Sequence, residues 1–435
     1  MKKLIAALAV LLIARPLPAQ LPTPARYHSA PRWQTLARDI YKQLIEINTV
    51  DPTGDNTAAA NAMAKRLLDA GFPAADVQVL EPAAREGNLV ARLRGRGSQL
   101  KPLLLLAHLD VVEAKREDWS MDPFVLHEQD GYFYGRGTTD DKAMAAMFVA
   151  NLIRMKQEGI VPRRDIVLAL TSDEESGEYN GASWLVQNHR DLVDAAFALN
   201  EGGGGEILNG KRLLNELQAS EKVYLSFSAE VTNPGGHSSR PGRDNAIYHL
   251  AGALARLAQF EFPVQLNEVT RTYFERMSKI ETGGLAQNMA AAARGDAAAQ
   301  ARLAEQPYYN ALMRTTCVAT MLQGGHAENA LPQMARATIN CRILPGKSAD
   351  DVEQTLQRVL ADDKIKLARL APPKPSDPSP LTPEIMGAVE RVTNELWPGI
   401  PVVPVMGTGA TDGLYFRQAG IPTYGLGPFE DINDA

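Results

Sequence analysis

The chain has 435 residues, 45% hydrophobic and 22% charged, which is ordinary for a soluble globular protein and too long for one small domain, so two or three are expected. Setting aside residues 1 to 20 removes three bases and no acid. That leaves 42 bases against 51 acids and moves the net charge from -6 to -9, a surface that does not attract nucleic acid or anionic lipid.

The first stretch, "MKKLIAALAVLLIARPLPAQ", reads as a secretory signal: Lys2 and Lys3 form a basic n-region, an apolar h-region follows, and Ala19 lies near a cleavage point. Arg15 interrupts the run short of the roughly 20 apolar residues that a membrane span needs. The expectation is an exported protein, periplasmic or secreted, with no membrane attachment after cleavage.

Three apolar runs then end in residues able to hold a metal. "KPLLLLAHLDVV" ends with His108 and Asp110, "DIVLALTSDEESG" with Glu174 and Glu175, and "AAFALNEGGGG" with Glu201. Between the first two, "FVLHEQDGYFYGRG" reads as an edge hairpin, and "DKAMAAMFVANLIRMKQEG" has helical apolar spacing. Apolar strands alternating with helices indicate an α/β fold, a mostly parallel sheet covered on both faces. In such sheets ligands bind beyond the carboxyl ends of the strands.

Near residue 215 the pattern changes. "KVYLSFSAEVTN" alternates like a half-buried antiparallel strand, "NAIYHLAGALARLAQ" is helical, and an Ala-rich stretch at 278 to 313 is helical with a break at "GDAAAQ". Two cysteine-bearing strands close the segment. This predicts a smaller α+β domain over 214–343, inserted between the parts 21–213 and 344–435 of the larger one. "SADDVEQTLQRVLADD" is then helical, "APPKPSDPSPLTP" is a connector, and "VVPVMGTGATDG" and "GIPTYGLG" resume the first domain's style. Residue 329 is the midpoint between Cys317 and Cys341. A symmetric hairpin makes them face each other, and an oxidising compartment permits a disulfide. A bulge would break that register and leave two buried thiols.

Asp173, Glu174 and Glu175 stand side by side at a strand end, where like charges repel unless a cation lies nearby. Metal-assisted hydrolysis uses two acids of different role, one for the ion and one for a proton. Asp110, two residues from His108, can fix the ring's tautomer, or the two form an ordinary core pair. Asp140 and Asp141 in "GRGTTDDK" suit a helix N-terminus as well as a metal. Glu201 is a loop acid or a ligand, and no "GK[ST]" follows its glycine run to make a phosphate loop.

In this order and at these intervals, "HLDVV", "YGRGTTDDK" and "SDEESG" resemble the M20 metallopeptidases, which include aminoacylases, carboxypeptidases, dipeptidases and acyl-diamino-acid deacylases. The likeness runs from about residue 35 to the end. It implies a zinc-peptidase-like catalytic domain with an inserted lid and dimerisation domain, two Zn2+ per chain, and a homodimer formed through the lid. Co2+ or Mn2+ suit the same oxygen and imidazole ligands. It further implies His108 as a ligand backed by Asp110, Asp140 as a bridging carboxylate with Asp141 outside that role, Glu174 as general base, and Glu175 and Glu201 as ligands. His237 in "NPGGHSSRPG" matches a histidine that reaches the partner's site. Asn329 in "GGHAENALP" and Arg342 in "NCRILPG" match substrate contacts, Arg offering a bidentate fork. Gly407 and Thr408 in "GTGATDG" match a substrate-carboxylate loop. A loop histidine, a surface loop and a strand-end salt bridge are the plainer readings of these last positions.

The implied substrate is a short peptide or an N-acyl amino acid. The family's further zinc histidine, after the strand matching "GIPTYGLGP", has no counterpart before Ala435, and truncation is the expectation. An exported solute-binding protein is the reading from another class, but a binder has no need of Glu174 beside Glu175.

Overall fold

The apolar runs form strands whose alternate residues feed two different cores. In the computed structural model, residues 29–97 and 99–432 are described. The signal expected over residues 1 to 20 lies outside them. Strand Ile166–Thr171 sends Leu168 and Leu170 into a cluster with Ala107, Val149 and Ile153, and Val167 and Ala169 into a second cluster with Leu104, Leu106 and Phe416. Burial on both faces is what a continuous apolar strand requires.

Ten strands make the larger sheet among the described residues. Leu103–His108 lies at its centre, parallel to Ile166–Thr171 on one side and to Phe197–Asn200 on the other. Thr423–Gly425 continues the parallel order beside Phe197–Asn200. The carboxyl ends of four neighbouring strands therefore open on one side of the sheet. Helix Lys142–Gln157 packs against it through Ala145, Ala146, Val149 and Ile153. The hairpin expected at an edge is present as His127–Gln129 with Tyr132–Tyr134, but it forms a separate two-stranded ribbon and not an edge of this sheet.

The smaller sheet has four strands, in the order Thr316–Gly324, Met334–Ile343, Val223–Thr232 and Lys366–Arg369. Helices Ala246–Ala258 and Ala349–Leu360 cover one face through Leu250, Leu257, Leu356 and Leu360. Its membership differs from the segment 214–343 read from sequence. The Ala-rich stretch is helical, Gly283–Ala293, Ala297–Ala304 and Pro307–Met313, with its break at Arg294–Asp296. These helices pack, however, on Leu217, Ala219, Val403 and Val405 of the larger sheet. The smaller sheet instead draws in residues beyond 343. Helix periodicity identifies a buried face but not the surface that buries it.

Cys317 and Cys341 are paired opposite each other and joined as a disulfide. A bulge between Ala319 and Met321 does occur, between the loop and the pair; it shifts the register by one residue, and on its far side the two cysteines stand directly opposite each other. The bond spans 24 residues of sequence, which constrains the unfolded chain by about 3 kcal/mol. The double variant Cys317→Ala/Cys341→Ala is expected to lose about that much stability in urea unfolding; unchanged stability would assign the bond no such role.

Candidate active site

His108 ends the central strand and is 2% exposed. Its Nδ1 lies 3.0 Å from the Asp110 carbonyl oxygen and 3.5 Å from Asp110 Oδ1. The ring nitrogen thus donates to the main chain of Asp110 more closely than to the carboxylate proposed from the sequence. The carboxylate serves the next loop, since Asp110 Oδ2 accepts the Glu175 N–H at 2.9 Å. Either way Nδ1 carries the proton and Nε2 faces outward, 2.8 Å from Asp140 Oδ1 and 3.8 Å from Glu201 Oε1.

Asp140 comes from a loop held down from below. Tyr41 donates its hydroxyl to the Thr138 carbonyl at 2.7 Å, and the buried Lys142 donates Nζ to the Ile47 carbonyl at 2.8 Å. Gly137 sits at φ +83°, and a Cβ there would come within 2.9 Å of Val111, so the turn needs glycine. Asp141 precedes helix Lys142–Gln157 but makes no capping bond, and burial raises its carboxyl to about 8 against the pull of His108. The Asp140 side chain is 60% exposed, which leaves an open approach above it.

The loop after Ile166–Thr171 is closed by its own first acid. Asp173, at φ +60°, accepts the Gly177 N–H at 3.1 Å and the Tyr179 N–H. That leaves Glu174 and Glu175 free of loop-closing duty. Burial pushes Glu174 to about 9, with the neighbouring Asp412 charge adding to it. The Glu175 side chain reaches solvent, but its carboxyl is partly sheltered by its neighbours, and that partial desolvation and the Asp140 charge raise it. Glu201 is raised to about 8 by burial, against His108. For His108 itself burial works against charge, but hydrogen bonds with Asp110 and Asp140 outweigh it and raise the ring well above its ordinary value.

His108, Asp140 and Glu201 offer one nitrogen and two oxygens within 4.8 Å of one another, the only such group among the described residues. A divalent cation fits them: the donor set is imidazole and carboxylate, the imidazole tautomer is fixed by Asp110, and burial of the Glu201 and Glu174 carboxyls favours their neutral forms where no cation offsets it. Glu174 and Glu175 border this group without belonging to it.

Of the remaining residues singled out in the sequence, Arg342 lies on the smaller sheet, His237 and Asn329 lie at a separate two-stranded ribbon, and Gly407 and Thr408 lie in the 407 to 413 turn. His237 and Asn329 are neighbours: Gly236–His237 pairs with Ala330–Leu331, and the Ser238 N–H donates to the Asn329 carbonyl at 2.9 Å. His237 is exposed and contacts Ser239. The Arg342 guanidinium stands 4.7 Å over the Tyr224 ring. Among the described residues no hydrogen bond or ion pair joins these three to the His108 group. Gly407 ends strand Val402–Gly407, and Thr408 is exposed.

Asp412 escaped the sequence reading. It is fully buried and accepts from Thr171 Oγ1 at 2.8 Å and Asn180 Nδ2 at 2.7 Å, and burial raises it to about 6. Its position before a six-residue helix looks like capping, yet its side chain makes no cap bond.

All these raised groups bind protons more tightly folded than unfolded, so stability falls as pH rises from the ordinary carboxylate range through 8 to 9. The chelator-stripped chain is expected to lose melting temperature steadily between pH 5 and pH 9, and saturating zinc to flatten the slope. A melting temperature that is level or rising without metal would contradict these protonation states.

The family described as Peptidase family M20/M25/M40 matches residues 104–434. The chain is 31% identical over 346 residues to the N-fatty-acyl-amino acid synthase/hydrolase PM20D1 of Xenopus tropicalis, covering 78% of this chain and 67% of that protein. The M20 family metallo-carboxypeptidase Sso-CP2 from Sulfolobus solfataricus superposes with a TM-score of 0.66 at 16% identity, over 90% of both chains. The Bacillus subtilis YXEP protein, a dinuclear metal binding peptidase from the M20 family, gives 0.57 at 12% identity over 93% of this chain and 90% of that one.

Proposed function

This chain belongs to peptidase family M20/M25/M40, and from that premise we propose an exported, metal-dependent hydrolase that cleaves the amide bond of short peptides or N-acyl amino acids. The observation that carries the reading is the buried His108, its Nε2 turned toward Asp140 and Glu201, with the Glu174 carboxyl beside it.

In this reading His108, Asp140, Glu175 and Glu201 hold two divalent cations, zinc in the first instance. Bound there, such ions lower the pKa of water toward neutrality and polarise a carbonyl. The chain's own groups do the rest. Glu174 takes the proton of the attacking water and delivers it to the leaving amine. In the metal-free chain burial favours its neutral form, and cations bound beside it would oppose that rise and leave a carboxylate able to accept the proton. Asp110 keeps His108 in one tautomer throughout.

Arg342 and the Gly407–Thr408 turn hold the substrate's carboxylate, with Asn329 on its carbonyl. His237, exposed on the two-stranded ribbon it forms with Ala330–Leu331, supplies a hydrogen bond to the oxyanion from a partner subunit. The edge strand Thr316–Gly324 supports a homodimer through the smaller sheet, since it leaves Val318, Met321 and Leu322 more than half exposed. The Cys317–Cys341 disulfide supports export to an oxidising compartment.

The test is turnover of a panel of N-acyl amino acids and dipeptides, before and after chelation. Hydrolysis abolished by chelator and restored by zinc is expected. Binding of a panel member without hydrolysis, with zinc present, would favour the solute-binding reading instead.

A further inference from the structure

The larger sheet's strand Lys211–Glu221 stops one residue before the smaller sheet's strand Val223–Thr232 begins, so the chain crosses at Lys222. Glu221 and Lys222 are each 1% exposed, a costly place for charge unless both have partners. They turn opposite ways. Lys222 Nζ donates to the Arg314 carbonyl at 2.8 Å and lies 3.4 Å from Thr316 Oγ1, on the segment returning to the smaller sheet. The Glu221 carboxylate points into the larger domain, where one oxygen pairs with Arg417 and the other accepts from Thr411 Oγ1 at 2.9 Å.

Thr411 is where this network meets the site. Its oxygen accepts from Asn200 Nδ2 at 3.2 Å, and Asn200 is the residue before Glu201. The next residue, Asp412, holds Thr171 and Asn180, which bracket the turn carrying Glu174 and Glu175. The Thr411 hydroxyl therefore joins the crossing point to the strand end bearing Glu201, and the adjacent Asp412 carboxylate joins the same turn to the one bearing Glu174 and Glu175. Arg417 fixes the far side of Glu221 by donating Nε to Ser376 Oγ at 2.8 Å in the Pro-rich connector.

We propose that Glu221 and Thr411 are positioning residues: the buried Glu221 carboxylate fixes the Thr411 hydroxyl, and the Thr411–Asp412 turn holds the acids at 175 and 201 in metal-binding geometry, with Glu174 beside them. The proposal rests on the reading that this site takes divalent cations. Thr411→Val keeps the shape and removes the hydroxyl, leaving Glu221 short of a donor and Asn200 of an acceptor. Groups that orient ligands in this way are worth about 10- to 100-fold in metal affinity.

The experiment titrates zinc chloride into the chelator-stripped 435-residue chain by calorimetry, comparing wild type, Thr411→Val and Thr411→Ser, with thermal unfolding as the check on folding. Zinc affinity about tenfold weaker in Thr411→Val and recovered in Thr411→Ser is expected. Equal affinity in Thr411→Val and wild type overturns the proposal, and so does a serine variant as weak as valine, which would point to the methyl group. A wild type that binds no zinc overturns the metal reading itself, and the proposal with it. If Thr411→Val does not fold, Thr411→Ala takes its place in the same comparison.

Discussion

Glu174→Gln is expected to lower kcat by about 10²- to 10⁴-fold while metal content and KM stay near wild type. The amide has the size of the neutral acid and cannot accept a proton, so the change removes one function and leaves the packing. Glu174 stands among Asp412, Glu201 and Asp110, and burial already favours its uncharged form at neutral pH. The metal-free variant is accordingly expected to melt no lower than wild type, because the charge it loses was opposed by its surroundings. Stopped-time product assays and elemental analysis on the same preparation check both halves. Normal turnover would move the base elsewhere, and lost metal would make Glu174 a ligand.

His108→Ala has the other large effect. His108 supplies the one nitrogen of the three-residue group, its ring is buried, and Asp110 has fixed which nitrogen faces Asp140 and Glu201. Without it two carboxylates face each other with no imidazole between them, and the site's affinity for a borderline-soft cation falls. Turnover is expected to drop at least as far as in Glu174→Gln, with a loss of at least one bound ion per chain. Because base and ligand act as a unit, the double variant is expected to be no slower than the slower single variant. Fully additive losses would mean that the two residues serve separate steps.

The order of apolar strands, the acids at their ends and the hairpin bearing the cysteines were legible from the sequence. Each rests on local information: an apolar run, its terminal residues, and a symmetric spacing about residue 329. Contacts made across long separations were not legible. Asp412 meets residues more than 230 positions away, and its place before a short helix gives no sign that its side chain turns inward to Thr171 and Asn180. Glu221 and Arg417 are 196 positions apart and form a buried pair at the crossing between the sheets. The Ala-rich helices were recognisable as helices, while the surface they cover depends on the larger sheet's strands at 211–221 and 402–407. Asp110 shows the finest limit. Its spacing from His108 correctly brings the two together, but backbone geometry decides that the carbonyl takes the ring's hydrogen bond.

Amide hydrolysis by chain groups acting around bound divalent cations is tested most directly by titrating zinc into the chelator-stripped protein, following hydrolysis of an N-acyl amino acid and metal per chain together. Turnover is expected to start at background, to rise with added zinc, and to level off as two ions per chain are bound. Full turnover in the stripped protein, or two ions bound with no turnover of any substrate in the panel, would contradict the account.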